Sequence, residues 1–406
     1  MRLPGVDLAN PDLFLAGWPH EAFVLLRAKA PVYWHEEANG PGFWVVSKYH
    51  DVLAVQLDAK TFSSARGGTL IREFDGEERE AVRSQLINMD APRHTRFRRL
   101  VNMGFSPKMT NRLVPHIRDM AAGIIDAVAA RGECDFVSEI AAELPLQVIA
   151  EMIGIPLADR HLIFKWSNDM IGFDDPEYGG ASSEVGKIAS MQMYMYANEL
   201  AVERKKSPRD DVVSVLMAAE VDGEKLTEVE FDSFFLLLAV AGNETTRNLI
   251  SGGMLALMQH PDERRRLLAD PSLMPTAVEE MLRWVSPVMY FRRTATRDAE
   301  LRGQPIREGD KLTVWYGSAN RDEEVFPHAD RFDVGRTPND HLAFGIGHHF
   351  CLGANLARLE IQIMFEELLR RLPDIELAGP VERLRSNFIN GIKRMPVRFA
   401  PTPRSR

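Results

Sequence analysis

Cysteine is nearly absent: the 406 residues hold only Cys134 and Cys351, far apart in the chain. Two cysteines cannot build a disulfide framework, and their scarcity predicts a reducing, cytoplasmic home. Long hydrophobic runs are missing as well. The longest strongly apolar stretch, Phe234 to Gly242, falls well short of the roughly 20 residues that span a bilayer. The opening segment MRLPGVDLANPDLFLAGW lacks the continuous apolar core of a signal peptide, so no membrane anchor is expected. Positive charge is not in excess: 49 Lys and Arg stand against 58 Asp and Glu, a formal charge of -9. Nucleic-acid binders carry a basic footprint, which excludes nucleic acid as the expected partner. No low-complexity tract, linker-like stretch or internal repeat divides the chain, and a single domain over 1–406 is predicted.

What is present reads as a large, mostly helical core. Hydrophobic residues make up 45% and charged residues 26%, the balance of an ordinary water-soluble globular protein. Pro31 to Trp34 and Phe43 to Val46 flank Asn39-Gly40, the pattern of a hairpin. Long helical segments follow, among them Val114 to Ala130 and Ile188 to Lys205. Strand character returns at Leu312 to Tyr316, and a closing hairpin is expected between Asn387–Asn390 and Pro396–Phe399. The fold class is mainly α with small β-sheets towards both ends.

The most informative stretch runs Phe344-Gly-Ile-Gly-His-His-Phe-Cys351-Leu-Gly353 and leads into a helical pattern reaching Leu372. Its glycines allow a tight backbone path close to a flat ligand, and Gly353 leaves no side chain just past the sulfur. The helix amino terminus adds dipole and unpaired N–H groups that favour a thiolate. A buried cysteine acting as a small hydrophobe is one alternative. A zinc site from His348, His349 and Cys351 is another, although it lacks a second ligand pair at suitable spacing.

Phe231 to Met258 reads as one long helix. Ala241 and Gly242 are small enough for a planar cofactor or a diatomic ligand to approach the backbone. Thr245 can bond back to the Ala241 carbonyl, and Glu244 stands beside it.

With these residues in view, the sequence resembles the cytochrome P450 family, whose cysteine loop reads F-G-x-G-x-H-x-C-x-G. Phe344, Gly345, Gly347, His349, Cys351 and Gly353 match every fixed position, and Ala241-Gly-Asn-Glu-Thr245 fits the family's A-G-x-[DE]-T. The resemblance covers nearly the whole chain. It implies a triangular helical prism around haem b, with Cys351 as the axial iron ligand through its thiolate. It implies that Glu244 relays protons and that Thr245 assists oxygen activation. His94, Arg98, Arg293 and His349 stand at positions that hold the haem propionates, with Arg292 the substitute for Arg293 if the register is off by one. Glu280 and Arg283 match the family's structural E-x-x-R pair, which either Arg331 or Arg336 completes.

The implied activity is insertion of one oxygen atom into a lipophilic substrate such as a sterol, branched lipid or terpenoid. Phe74, Phe173, Met191, Met193, Met195, Val288 and Met289 form the expected apolar pocket. Few residues follow the last hairpin, so electrons from NAD(P)H are expected through a separate ferredoxin reductase and ferredoxin. Arg96, Arg99 and Lys108 are candidates to meet an acidic partner. A peroxygenase using hydrogen peroxide and a haem sensor or carrier are the competing readings; peroxygenases usually lack the acid–Thr pair seen here.

Overall fold

The computed structural model describes residues 6–38, 40–74, 76–102, 105, 107–178, 183–221 and 223–403. The first five residues, Asn39 of the expected hairpin turn and the Lys108 side chain lie outside the described residues.

The axis of the molecule is a helix of 32 residues, Glu228–Gln259, hereafter the central helix. It starts with a capping box: Thr227 Oγ1 accepts from the Glu230 N–H, and the Glu230 carboxylate accepts from the Thr227 N–H. That arrangement satisfies donors the first turn would otherwise leave open. Its residues are buried on most sides because other helices pack on it, among them Glu143–Ile153, Arg160–Ile171, Ser183–Lys206, Met274–Val285 and Ala354–Arg371. One large apolar core runs through these helices, with two smaller ones beneath the sheet.

The main sheet has five strands, ordered Val32–His35, Phe43–Val46, Lys311–Trp315, Tyr290–Ala295, Phe62–Ser63. The first two pair antiparallel with Val32 opposite Val46, as a hairpin requires. Lys311–Trp315 joins Phe43–Val46 in parallel and Tyr290–Ala295 antiparallel.

The closing hairpin expected between Asn387–Asn390 and Pro396–Phe399 does not form. Pro396–Arg398 pairs instead with Glu133–Asp135 and Glu376–Leu377, and Ile392–Arg394 pairs with Glu382–Arg383. Ile389 makes a lone bridge to Val288. Strand alternation marks a segment as a strand but carries no label for a distant partner. Cys134 falls on the Glu133–Asp135 strand opposite Val397, where burial pushes its thiol up to about 12.

Candidate active site

The cysteine loop is held from below by its neighbours. Gly345 and Gly347 both adopt positive φ, at 65° and 74°, a region that an L side chain enters only with strain. The Cys351 N–H donates to the Phe344 carbonyl at 2.9 Å, closing the loop on itself. Gln56 Oε1 accepts from the Ile346 N–H at 3.0 Å, and Asn320 Oδ1 accepts from the Leu342 N–H at 2.7 Å. A Cβ on Gly353 would meet nothing within 4 Å, so the space beyond the sulfur's turn is open.

Burial pushes the Cys351 thiol up, while the Gly353 N–H and the charges of Arg98 and Arg358 pull it down without prevailing. A metal cation at the sulfur would add to the pull of the Gly353 N–H and the two arginines and favour the thiolate.

Beside the loop lie two arginines with no carboxylate partner among the described residues, and two imidazoles. His94, on the helix Arg93–Asn102, is buried, and its Nε2 has no partner among the described residues. Its ring centroid stands 4.3 Å from that of His349, whose Nε2 lies 3.2 Å from Ser64 Oγ. Arg98, one turn along, donates to the Phe350 carbonyl at 2.8 Å. Arg293 is buried, donates to the Arg292 carbonyl at 2.8 Å, and pairs with no carboxylate among the described residues. Desolvation and the flanking Arg98 and Arg293 charges push His94 down to about 4, and His349 falls to about 2. Burying unpaired cations is costly unless anions neutralise them. The two carboxylates of a haem, over a single protein sulfur, answer both needs, so the residues present fit that cofactor.

The choice between Arg292 and Arg293 follows from strand alternation. Arg292 points the other way, to Glu73 at 3.1 Å and to the carbonyls of Leu70, Ile71 and Arg72.

On the central helix, Ala241 is exposed and Thr245 half-exposed although the residues around them are buried, so the fold leaves open space along this strip. Thr245 Oγ1 donates to the Ala241 carbonyl at 2.8 Å, the back-bond expected from its position. Gly242 faces elsewhere. A Cβ there would come within 2.9 Å of Ile149, so its smallness admits the neighbouring helix rather than a cofactor. Glu244 is buried and ion-paired with Arg247, which also donates to Asn168 Oδ1 at 2.8 Å. Burial raises the Glu244 carboxyl, and Arg247 opposes the rise. Its Oε1, the Arg247 Nε and both polar atoms of the Asn243 side chain have no partner among the described residues. Arg247 and Asn168 were not singled out in the sequence. Arg247 was legible as a cation one turn from Glu244; Asn168, from another helix, was not.

The scaffold pair is complete and buried. Arg283 donates to Glu280 through Nε and Nη2, both at 2.8 Å, and Arg336 Nε donates to the same carboxylate at 3.1 Å. Arg336 therefore fills the third place. Arg331 offers only its carbonyl, which accepts from Arg283 at 3.0 Å and from Arg336 at 2.9 Å. A second network joins Glu279 to His341 at 3.1 Å and to Arg358 at 2.7 Å. Burial raises the Glu279 carboxyl, but these partners outweigh it and hold the group at about 2. Arg358 also stacks 4.6 Å from the Phe344 ring, tying this network to the cysteine loop.

The expected pocket residues separate. The Arg72 guanidinium lies 4.6 Å from the Phe74 ring and 5.1 Å from the Phe173 ring, bringing those two segments together. Val288 and Met289 sit where the sheet meets the Ile389 bridge, and the Met289 N–H donates to the Phe388 carbonyl at 2.9 Å. Met193 is fully buried in the helical core, whereas Met191 and Met195 point out of the molecule. Those two leave the pocket.

A one-cysteine loop, arginines without carboxylate partners among the described residues and an acid–hydroxyl pair on a central helix are the arrangement that a haem-binding protein of this class calls for. The cytochrome P450 family model matches residues 146–373. The chain is 43% identical over 405 residues to a steroid C26-monooxygenase of Rhodococcus jostii, covering 97% of this chain and 85% of that protein. It is 45% identical over 390 residues to a methyl-branched lipid omega-hydroxylase of Mycobacterium bovis, covering 93% and 90%. A Mycobacterium marinum cytochrome P450 solved in complex with pseudoionone superposes with a TM-score of 0.90 at 39% identity, covering 98% and 99%. The chain belongs to the cytochrome P450 family and is a monooxygenase of it. Among the described residues, no helix is long and apolar enough to cross a membrane.

Proposed function

We propose that this monooxygenase hydroxylates a C–H bond of a sterol, a methyl-branched lipid or a terpenoid in the cytoplasm. Electrons come from NAD(P)H through a ferredoxin reductase and a ferredoxin. The observation that carries the haem-thiolate chemistry is the single cysteine loop set beside two arginines that have no carboxylate partner among the described residues and two neutral imidazoles, one with an unpartnered nitrogen. The lipophilic substrate class is supported by Phe74, Phe173, Val288 and Met289, and by the names of the relatives above.

When bound, haem supplies an iron centre at which dioxygen is reduced and one of its atoms becomes available for insertion. Cys351 would hold the iron, Arg98 and Arg293 would neutralise the propionates, and His94 and His349 would offer them hydrogen bonds. Phe344 and Gly353 bound the loop on either side of the sulfur. Burial raises the Glu244 carboxyl against the pull of Arg247, and its Oε1, which Arg247 leaves free, is the oxygen at which a proton would be taken up and passed on. Thr245 donates to Ala241, so its lone pairs stay available to accept a proton donor in the open strip beside it. Asn168 holds Arg247 and so decides how firmly Glu244 is gripped. Arg72 lies over both the Phe74 and the Phe173 ring, joining the two segments that carry them.

A panel of sterols, branched fatty acids and terpenoids is tested for a low-to-high spin shift, then for product with ferredoxin, its reductase and NAD(P)H. A hydroxylated member of the panel is the expected result. Product formed with hydrogen peroxide but never with the electron-transfer proteins would overturn the reading. Thr245→Ala is expected to keep the spin shift while product per NAD(P)H oxidised falls to about a tenth and peroxide release rises. Glu244→Gln is expected to slow turnover about a hundredfold and to alter the solvent isotope effect.

Of Arg96 and Arg99, the second is the better candidate for the partner surface. Arg96 already pairs with Glu224 at 2.6 Å and Glu230 at 3.0 Å, whereas Arg99 is exposed. Arg99→Glu is expected to lower the rate of reduction by ferredoxin about tenfold and to flatten its salt dependence. An unchanged rate and slope would remove this surface from the proposal.

A further inference from the structure

Two cations act on the Cys351 sulfur, Arg98 and Arg358, and both favour its ionised form. They differ in company. Arg98 has no carboxylate partner among the described residues and donates to the Phe350 carbonyl. Arg358 is gripped by Glu279 through a fork: Nε donates to Oε1 at 2.7 Å and Nη2 donates to Oε2 at 2.9 Å. Two parallel bonds fix a guanidinium in one orientation, which a single contact does not. The face of that guanidinium rests on the Phe344 ring, 4.6 Å from its centroid. Phe344 in turn accepts the Cys351 N–H through its carbonyl, so the cation sits on the loop that carries the sulfur.

A third side chain holds the acid. His341 Nδ1 accepts from the Ala343 N–H at 3.2 Å, which puts the proton of a neutral ring on Nε2, and Nε2 donates to Glu279 Oε2 at 3.1 Å. Burial raises the Glu279 carboxyl, but His341 and Arg358 outweigh it and hold the group at about 2, so Glu279 is an anion at neutral pH. Of the two charges, the cation bears on the sulfur more strongly. One-electron reduction of ferric iron adds a negative charge to the iron–sulfur unit and makes or breaks no bond in the protein. A nearby fixed cation stabilises that added charge, and a nearby anion opposes it.

We propose that Arg358 is a positioning residue for the haem-thiolate unit: its fixed charge favours one-electron reduction, and Glu279 trims that effect as its counter-charge. The inference rests on the haem-thiolate reading above.

Spectroelectrochemical titration of the haem-loaded protein, with dithionite as reductant, reads the ferric–ferrous midpoint without any ferredoxin. Arg358→Met is expected to lower the equilibrium constant for reduction about tenfold, which is about 59 mV for one electron. Arg358→Lys is expected to recover at least half of that shift, because the charge returns without the fork. Glu279→Gln, which keeps a hydrogen bond to the arginine, is expected to raise the constant about threefold. The two changes together, Arg358→Met with Glu279→Gln, are expected to fall between the single variants. Every variant should keep the red-shifted Soret band of the reduced, carbon-monoxide-bound protein. Should Arg358→Met not take up haem, Glu279→Gln still decides, since its expected shift has the opposite sign. With the band in place, a midpoint unmoved by Arg358→Met, or one that Glu279→Gln moves downward, would overturn the proposal. Absence of the band from the parent protein would instead overturn the haem-thiolate reading.

Discussion

Cys351→Ser is expected to abolish the strongly red-shifted Soret band of the reduced, carbon-monoxide-bound protein and to cut turnover to below about a thousandth. A thousandfold loss corresponds to about 4 kcal/mol of barrier, the scale expected if Cys351 is the proposed thiolate ligand. The effect is local because the loop does not need the sulfur to keep its shape. Its Cys351–Phe344 backbone bond and the Gln56 and Asn320 clasps all involve other atoms. Far-ultraviolet circular dichroism should therefore match the parent. Cys134→Ser is the control: its thiol lies on a strand, pushed up to about 12 by burial, and the band should persist. A Cys351→Ser protein that kept the band would mean that the iron is held by something other than this sulfur.

Glu280→Ala is expected to be the most destabilising single change in the scaffold, at about 3–5 kcal/mol by denaturant unfolding. Total stability of a domain is only about 5–15 kcal/mol. The carboxylate is fully buried and accepts from Arg283, Arg336, the Asp333 N–H at 2.9 Å and Asn339 at 3.2 Å. Its removal leaves two guanidinium groups buried beside one another with no anion between them. The remaining Arg283 donors already serve the Asn320 and Ala329 carbonyls at 2.8 and 3.0 Å, so the arginine cannot swing to solvent. Arg336→Ala should cost less than Glu280→Ala, because Arg283 then still balances the acid. Arg331→Ala should cost almost nothing, since only its backbone oxygen takes part. A Glu280→Ala protein as stable as the parent would show that this network does not hold the region together.

The Glu280–Arg283 pair was legible because three residues on a helix make one turn, and one turn makes two side chains neighbours. The same logic exposed the Thr245 back-bond. Arg336 was not legible, since it reaches Glu280 from an irregular segment where spacing carries no geometry. The grouping of Met191, Met193 and Met195 on one pocket wall failed for a related reason. Their sequence proximity suggested one pocket, but successive helical residues turn about 100° apart, and only the neighbouring helices decide which side is inner. Met193 went to the core and the other two to the surface.

The family, the long central helix with its neighbouring acid and hydroxyl, and the predominance of helix were all readable from the chain alone. Each depends on residues close in sequence, where covalent geometry nearly dictates contact. Which arginine balances Glu280, which of two adjacent arginines is left without a carboxylate, what grips Glu244 and where the last strands pair were decided only when distant segments met. Those contacts depend on how the helices and sheet cross in space, and no local spacing encodes a crossing.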